Sequence, residues 1–128
     1  MKETITIFVI DTNEPSADEC IELIRKQTYK NLELKRISNV FPMWRAFQRM
    51  LDECNTNFFV QVDADMLLTS TAVETLYKRI ISQNNQVAIS VGWLWDDDVE
   101  RQILGVKIYN HNICVNFPYT NSLIEFAK

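Results

Sequence analysis

Short β-branched and aromatic runs alternate with segments of helical apolar spacing along most of the chain, and this alternation restricts the fold more than any other feature. Residues 5–10 read Ile-Thr-Ile-Phe-Val-Ile and stop at Asp11-Thr12-Asn13-Glu14-Pro15, the pattern of a buried strand feeding a loop. Ser16 stands three before Glu19, a capping-box spacing, and Ala17, Cys20, Ile21 and Ile24 share one helical face, so a helix runs to about Gln27. Residues 32–37 alternate weakly and predict a strand near an edge, closed by Ser38-Asn39. Pro42 suits the first turn of a second helix, with Met43, Phe47, Met50 and Cys54 inward and Arg45, Gln48, Arg49 and Asp52 outward. Phe58-Phe59-Val60-Gln61-Val62 is the next strand. Thr71 with Glu74 repeats the capping-box spacing, Val73, Leu76, Tyr77 and Ile80 line the inner face of a third helix, and Asn84-Asn85 marks its end. Val87, Ile89, Val91, Trp93 and Trp95 alternate before Asp96-Asp97-Asp98, and residues 103–109 resume strand character, so the last two strands pair across an acidic loop. The order β-α-β-α-β-α-β with short connections predicts an α/β fold, a mainly parallel sheet sandwiched by helices.

At 128 residues the chain has the length of a single domain spanning 1–128. A composition that is 47% hydrophobic, 11% aromatic and 23% charged belongs to a folded protein, not a disordered one. The net charge of -4 and pI near 5.0 supply no general positive field for a phosphate backbone, so nucleic acid is not an expected partner. An average chain of this length carries roughly nine glycines, whereas this one has 2, Gly92 and Gly105, far apart. Phosphate-cradling loops need several glycines close together, which excludes both the P-loop and the dinucleotide fingerprint. Any phosphate bound here must be neutralised in another way. His111 is the single histidine, which excludes paired-histidine metal sites, and Cys20, Cys54 and Cys114 are odd in number with no close pair. Neither zinc nor a disulfide framework is expected, and the thiols suggest a reducing compartment. The apolar run ending at Asp11 is too short and too soon acidic for a signal peptide or a membrane span, so a cytoplasmic protein with no transmembrane segment is expected.

The end of the third strand carries the chemistry. In a strand continued through Asp63-Ala64-Asp65, the two carboxylates project to one side, about 6.6 Å apart along the backbone. Such a pair can share Mg²⁺ or Mn²⁺, hard cations that take one or two protein carboxylates and leave other positions to substrate phosphates and water. Ligands of open α/β sheets bind outside the carboxyl ends of the strands, where Asp11, Thr12 and Asn13 also emerge. A bare D-x-D also opens ordinary polar turns. Two adjacent ionised carboxylates nevertheless repel unless something positive sits between them.

These segments resemble the nucleotide-binding half of GT-A fold glycosyltransferases, particularly the family 2-like enzymes, over residues 5–109. In that family a first strand ends in a loop touching the nucleoside, and a helix preceded by a turn leads into an apolar strand that ends in the D-x-D motif. Residues 5–15, 39–54 and 58–65 look like those parts. The resemblance implies a GT-A-like core, a nucleotide-diphosphate sugar as donor, a saccharide or other hydroxyl as acceptor, and Mn²⁺ or Mg²⁺ as cofactor. It also implies Asp63 near the ribose and metal, Asp65 as a metal ligand, and Asp11, Thr12, Asn13 and Asn39 along the nucleotide-sugar. His111 weakly resembles a late histidine that some members use as another metal ligand, a lone surface histidine being the alternative. Asp96, Asp97 and Asp98 are the nearest candidates for a catalytic base, a solvated acidic turn being the alternative. The family usually places another acid after its second strand, where this chain has Ser38-Asn39, and one β-α unit is missing. Members are commonly longer, the additional part holding most of the acceptor site and the usual base, so a further domain or partner chain is among the expectations.

If the chain is catalytic, the implied activity is hexosyl transfer. Two other classes stay open. Haloacid-dehalogenase-like phosphatases also begin from an apolar strand ending in D-x-D, which would make Asp63 a nucleophile; their motif continues with Gly-Thr on the first strand, whereas here Met66-Leu67 follows and two strands precede. A non-catalytic, truncated GT-A-like module is the third class. Trp44, Trp93 and Trp95 either stack on a sugar or base or simply pack. Arg45 and Arg49, one helical turn apart, either meet a pyrophosphate or remain solvated, and Cys20 and Cys54 fall on apolar stripes as small core residues.

Overall fold

The computed structural model describes residues 3–83, 88–96 and 101–115, with backbone alone for 93–96 and 101–105. Its elements run β1 (Ile5–Asp11), α1 (Ala17–Arg25), β2 (Leu32–Ser38), α2 (Met43–Glu53), β3 (Phe58–Asp63), α3 (Ala72–Ile81), β4 (Ile89–Asp96), β5 (Arg101–Asn110) and a short α4 (His111–Cys114). Asn84, Asn85, Val87, Asp97 and Asp98 lie outside the described residues.

The sheet order is β2-β1-β3-β5-β4. β1 pairs in parallel with β2 and β3, while β5 runs antiparallel to both β3 and β4. Four strands therefore share one direction, in an α/β sheet that is mixed and mostly parallel. The departure from the simple alternating order lies in β4, which does not take the place beside β3. A short connection after β4 permits only an antiparallel hairpin, and β5, the return strand, occupies the gap between β3 and β4.

All seven residues of β1 are buried, the signature of a strand covered on both faces. Ile5, Ile7 and Val9 join Val60, Val62, Val106 and Ile108 under α1 and α3. Phe8, Ile10, Ile37, Phe59 and Tyr109 face α2 and α4. On that second side the core is aromatic: Phe59 stacks on Tyr109 at 4.8 Å between centroids, and Phe47 of α2 meets Tyr109 edge-on at 5.2 Å. β2 is the partly exposed edge strand that its weak alternation predicts. Cys20, Cys54 and Cys114 are buried and unpaired.

Neither expected capping box forms: Ser16 and Thr71 both stand at N-caps without a side-chain cap. Ser16 sits at the N-cap of α1 without a side-chain cap, its hydroxyl donating instead to the Ala64 carbonyl at 2.9 Å. The start of α3 is held from a distance, by wholly buried Gln27, whose Oε1 accepts the Val73 N–H at 3.1 Å while its Nε2 donates to the Thr69 and Leu23 carbonyls. Pro42 takes the N-cap position of α2 rather than its first turn, after a cis Phe41–Pro42 bond. Among the described residues, no helix is long and apolar enough to cross a membrane.

Candidate functional site

From β1 the chain passes through α1 to β2 on one side, and α2 then carries it back past β1 to β3 on the other. α1 and α2 cover opposite faces of the sheet. The connections thus diverge between β1 and β3, and the crevice outside the carboxyl ends of those two strands is where open α/β sheets bind ligands. Ile10 lies level with Asp63 across the β1–β3 pair, so the loops following both strands open at this one place. The amino end of α2 begins there too, a few residues after β2.

β3 stops at Asp63, and the Met66 N–H donates to the Asp63 carbonyl at 2.9 Å, so Ala64 and Asp65 form a turn rather than a continuation of the strand. Strand geometry therefore does not set the relation of the two carboxylates. The turn is pinned from both sides: the Ala64 N–H donates to the Ile10 carbonyl at 2.9 Å, and its carbonyl receives Ser16. Asp65 is exposed, whereas Asp63 is half-buried and its Oδ1 is buried without a hydrogen-bond partner. Burial pushes the Asp63 carboxyl above its ordinary value and the charge of Asp65 adds to the effect, while hydrogen bonding from Gln61 and the charge of Lys107 oppose it. Beneath the turn, the Cys20 thiol contacts the Asp63 carbonyl at 3.8 Å. Burial, reinforced by Asp65 and Asp63, raises that thiol to about 11, so it stays protonated at neutral pH.

Asp11 is built differently. Its side chain is buried, Oδ2 accepts from Arg36 Nε at 2.9 Å, and Oδ1 accepts the Asn13 N–H at 2.8 Å. The Arg36 guanidinium holds this carboxyl below its ordinary value against the opposing effect of burial. Asp11 thus fixes the loop after β1, and its oxygens are committed to the protein. Asn13 and Asn39 both adopt left-handed backbone conformations, φ 68° and 56°, which asparagine tolerates better than most residues. The Asn39 N–H donates to the Asp11 carbonyl at 2.8 Å, and Asn13 Nδ2 reaches Asn39 Oδ1 at 3.4 Å. Thr12 turns its N–H, at 2.8 Å, and its hydroxyl onto the Glu14 carboxylate. Thr12, Asn13 and Asn39 are thus brought together on an exposed rim, alongside the aspartate turn.

His111 is not part of this group. β5 is antiparallel to β3, so its end lies at the amino end of β3, where Phe58 pairs with Asn110 and the His111 N–H donates to the Asn57 carbonyl. The imidazole Nε2 is 2.8 Å from the Leu51 carbonyl and the ring meets Phe59 edge-on. As a metal ligand beside Asp63 and Asp65 it is excluded by topology. Asp96 ends β4 at the carboxyl side of the sheet, opposite Arg101. Extending the β3–β5 register puts Gly105 level with Asp63, so β5 begins roughly 13 Å beyond the level of Asp63 along the strand direction. Asp97 and Asp98 lie outside the described residues, as do the side chains of Asp96, Trp93 and Trp95. Trp44 is half-buried at the start of α2, with the Arg45 guanidinium 5.4 Å from its ring centroid, and Arg49 pairs with Glu53 at 2.9 Å.

Sequence reasoning did not anticipate Arg36, Ser16 or Glu14 in these roles. Parallel pairing of two seven-residue strands from their first residues, Ile5 with Leu32, would have set Arg36 two places before the β2 end and level with Val9, close to Asp11. No group of three or more His, Cys, Asp or Glu side chains able to enclose a metal occurs among the described residues. The sequence matches no known family model and no curated protein.

Proposed function

We propose that this chain is a GT-A-like nucleotide-sugar-binding domain of a glycosyltransferase, holding a divalent cation and a nucleotide diphosphate at the divergence of β1 and β3. The observation that carries the reading is the buried, unpartnered Oδ1 of Asp63 beside Asp65, at the carboxyl end of the sheet. An orphaned carboxylate oxygen that burial and a neighbouring carboxylate both disfavour in its charged form is a place where a cation is stabilising. Two carboxylates are also the donor set expected of Mg²⁺ or Mn²⁺ when phosphates and water complete the shell. The scarcity of glycine supports the same reading, since charge neutralisation by a cation replaces a phosphate loop.

Asp63 and Asp65 would hold the ion, which when bound supplies positive charge to offset that developing on the diphosphate leaving group. Asp11 has a positioning role: with Arg36 it fixes the loop that presents Thr12 and Asn13. The Thr12 N–H and hydroxyl, now turned onto Glu14, are donors available to a ribose or phosphate when Glu14 swings away. The acceptor hydroxyl and the base that activates it belong to a further domain or partner chain. The three buried thiols fit the reducing cytoplasm.

Binding of Mn²⁺ followed by its electron paramagnetic resonance signal, with UDP present, tests the assignment of the ligands. Asp65→Asn is expected to weaken Mn²⁺ uptake by at least tenfold while the chain remains folded. Undiminished uptake in that variant would remove Asp65 from the site.

A further inference from the structure

At the opposite end of the sheet from the two aspartates lies a separate cavity of about 460 Å³, bounded by the amino end of β3, the last turn of α3 and the start of α4. Glu3, Asn57, Asn110 and Asn112 give it a polar side, and Phe58 and Ile81 an apolar one. Asn110 is 4% exposed, yet its Oδ1 has no hydrogen-bond partner. A buried acceptor left in this state is costly, and what it lacks is a donor. Glu3 is the one ionised side chain in the described lining, which contains no cation. Its Oε1 accepts from Asn57 Nδ2 at 3.0 Å and its Oε2 from the Tyr77 hydroxyl at 2.6 Å, so each oxygen keeps a further lone pair. Asn112 Nδ2 in turn donates to Asn57 Oδ1 at 3.3 Å, completing a chain of carboxamides anchored on the carboxylate. α3 directs its carboxyl end, the negative end of the helix dipole, toward the same place.

The orphan acceptor, the single negative charge and the dipole all favour a positively charged N–H donor. The apolar side, including Ile81 at 43% exposure, suits an alkyl stem. We propose that this cavity binds a primary alkylammonium group, its head toward Glu3 and Asn110 and its stem along Phe58 and Ile81. The inference stands independently of nucleotide-sugar binding at the other end of the sheet. A free diamine and the lysine side chain of a partner protein carry the same head and stem, and the test separates them.

The experiment is a nuclear magnetic resonance titration of the full chain with 1,5-diaminopentane, with N-acetyl-lysine amide, and with uncharged 1,5-pentanediol. The side-chain amide resonances of Asn57, Asn110 and Asn112 are expected to move with an amine and to stay in place with the diol. A stronger response to the diamine identifies a free amine, and a stronger response to the lysine derivative a partner's side chain. Glu3→Gln is expected to weaken amine binding at least fivefold. Asn112→Asp, at an exposed position, adds a carboxylate to the lining and is expected to tighten it. Equal shifts with amine and diol, no shift with either amine, or tightening in neither Asn112→Asp nor the parent relative to Glu3→Gln would each overturn the proposal.

Discussion

Two aspartates at the ends of neighbouring strands have opposite electrostatic characters. Asp11 is buried but paired with Arg36 and an N–H, and its carboxyl lies below the ordinary value of 3.8; half-buried Asp63, with one oxygen unpartnered, lies above it. Linkage gives the two groups opposite signs. The folded state binds the Asp11 proton less tightly than the unfolded chain does, so its stabilisation is complete above pH 3.8 and fades as pH falls through the depressed value. Asp63 binds its proton more tightly when folded, so stability declines as pH rises from 3.8 through the raised value and stays reduced above it. At neutral pH without metal, Asp11→Asn is therefore expected to lose about 1–3 kcal/mol, since it breaks a charged hydrogen bond in a buried setting. Asp63→Asn is expected to match or exceed the parent. Both differences should shrink in melts at acid pH below 3.8. A loss in Asp63→Asn comparable to that in Asp11→Asn would show that Asp63 caps the loop instead of awaiting a cation.

Among the elements, the aspartate turn depends on its attachment to α1. Ser16 looks in sequence like the first half of a capping box, but its hydroxyl reaches across to the Ala64 carbonyl. A capping box needs only local residues, whereas this bond exists because α1 packs against the end of β3, which no spacing rule detects. Ser16→Ala is expected to cost about 1 kcal/mol in a denaturant melt and to weaken metal-dependent nucleotide binding, because the turn carrying Asp65 loses one of its two anchors. An unchanged nucleotide affinity in that variant would mean that Ile10 alone fixes the turn. The strands and three long helices were legible because each buries a face whose period of 2 or 3.6 is written in Ile5, Ile7 and Val9 or in Phe47, Met50 and Cys54. The place of β5 between β3 and β4 was not, since hairpin pairing is local while the choice of neighbour on the far side is made by the whole sheet. The same topology removes His111, whose residue type invites a metal while its position at the amino end of β3 forbids that one.

In the whole molecule, the sheet separates two regions of different chemistry. The carboxyl end gathers Asp63, Asp65 and the rim of Thr12, Asn13 and Asn39, and the amino end holds the carboxamide-lined cavity. Candidate ligands Asp63 and Asp65 were readable from the sequence because an apolar strand ending in paired acids is locally conspicuous; the Asp11–Arg36 pair was not, because it joins residues 25 apart through strand register. If a cation bridges the aspartates to a diphosphate, metal and nucleotide must bind interdependently, whereas an aspartyl nucleophile on Asp63 would make a covalent adduct its signature. Calorimetric titration of the chain with UDP and with GDP, in Mn²⁺ and again in chelator, addresses this most directly. The expected result is saturable binding of at least one nucleotide with Mn²⁺, lost in chelator and in Asp65→Asn. Binding of equal strength with and without metal would contradict a cation-bridged site at Asp63 and Asp65.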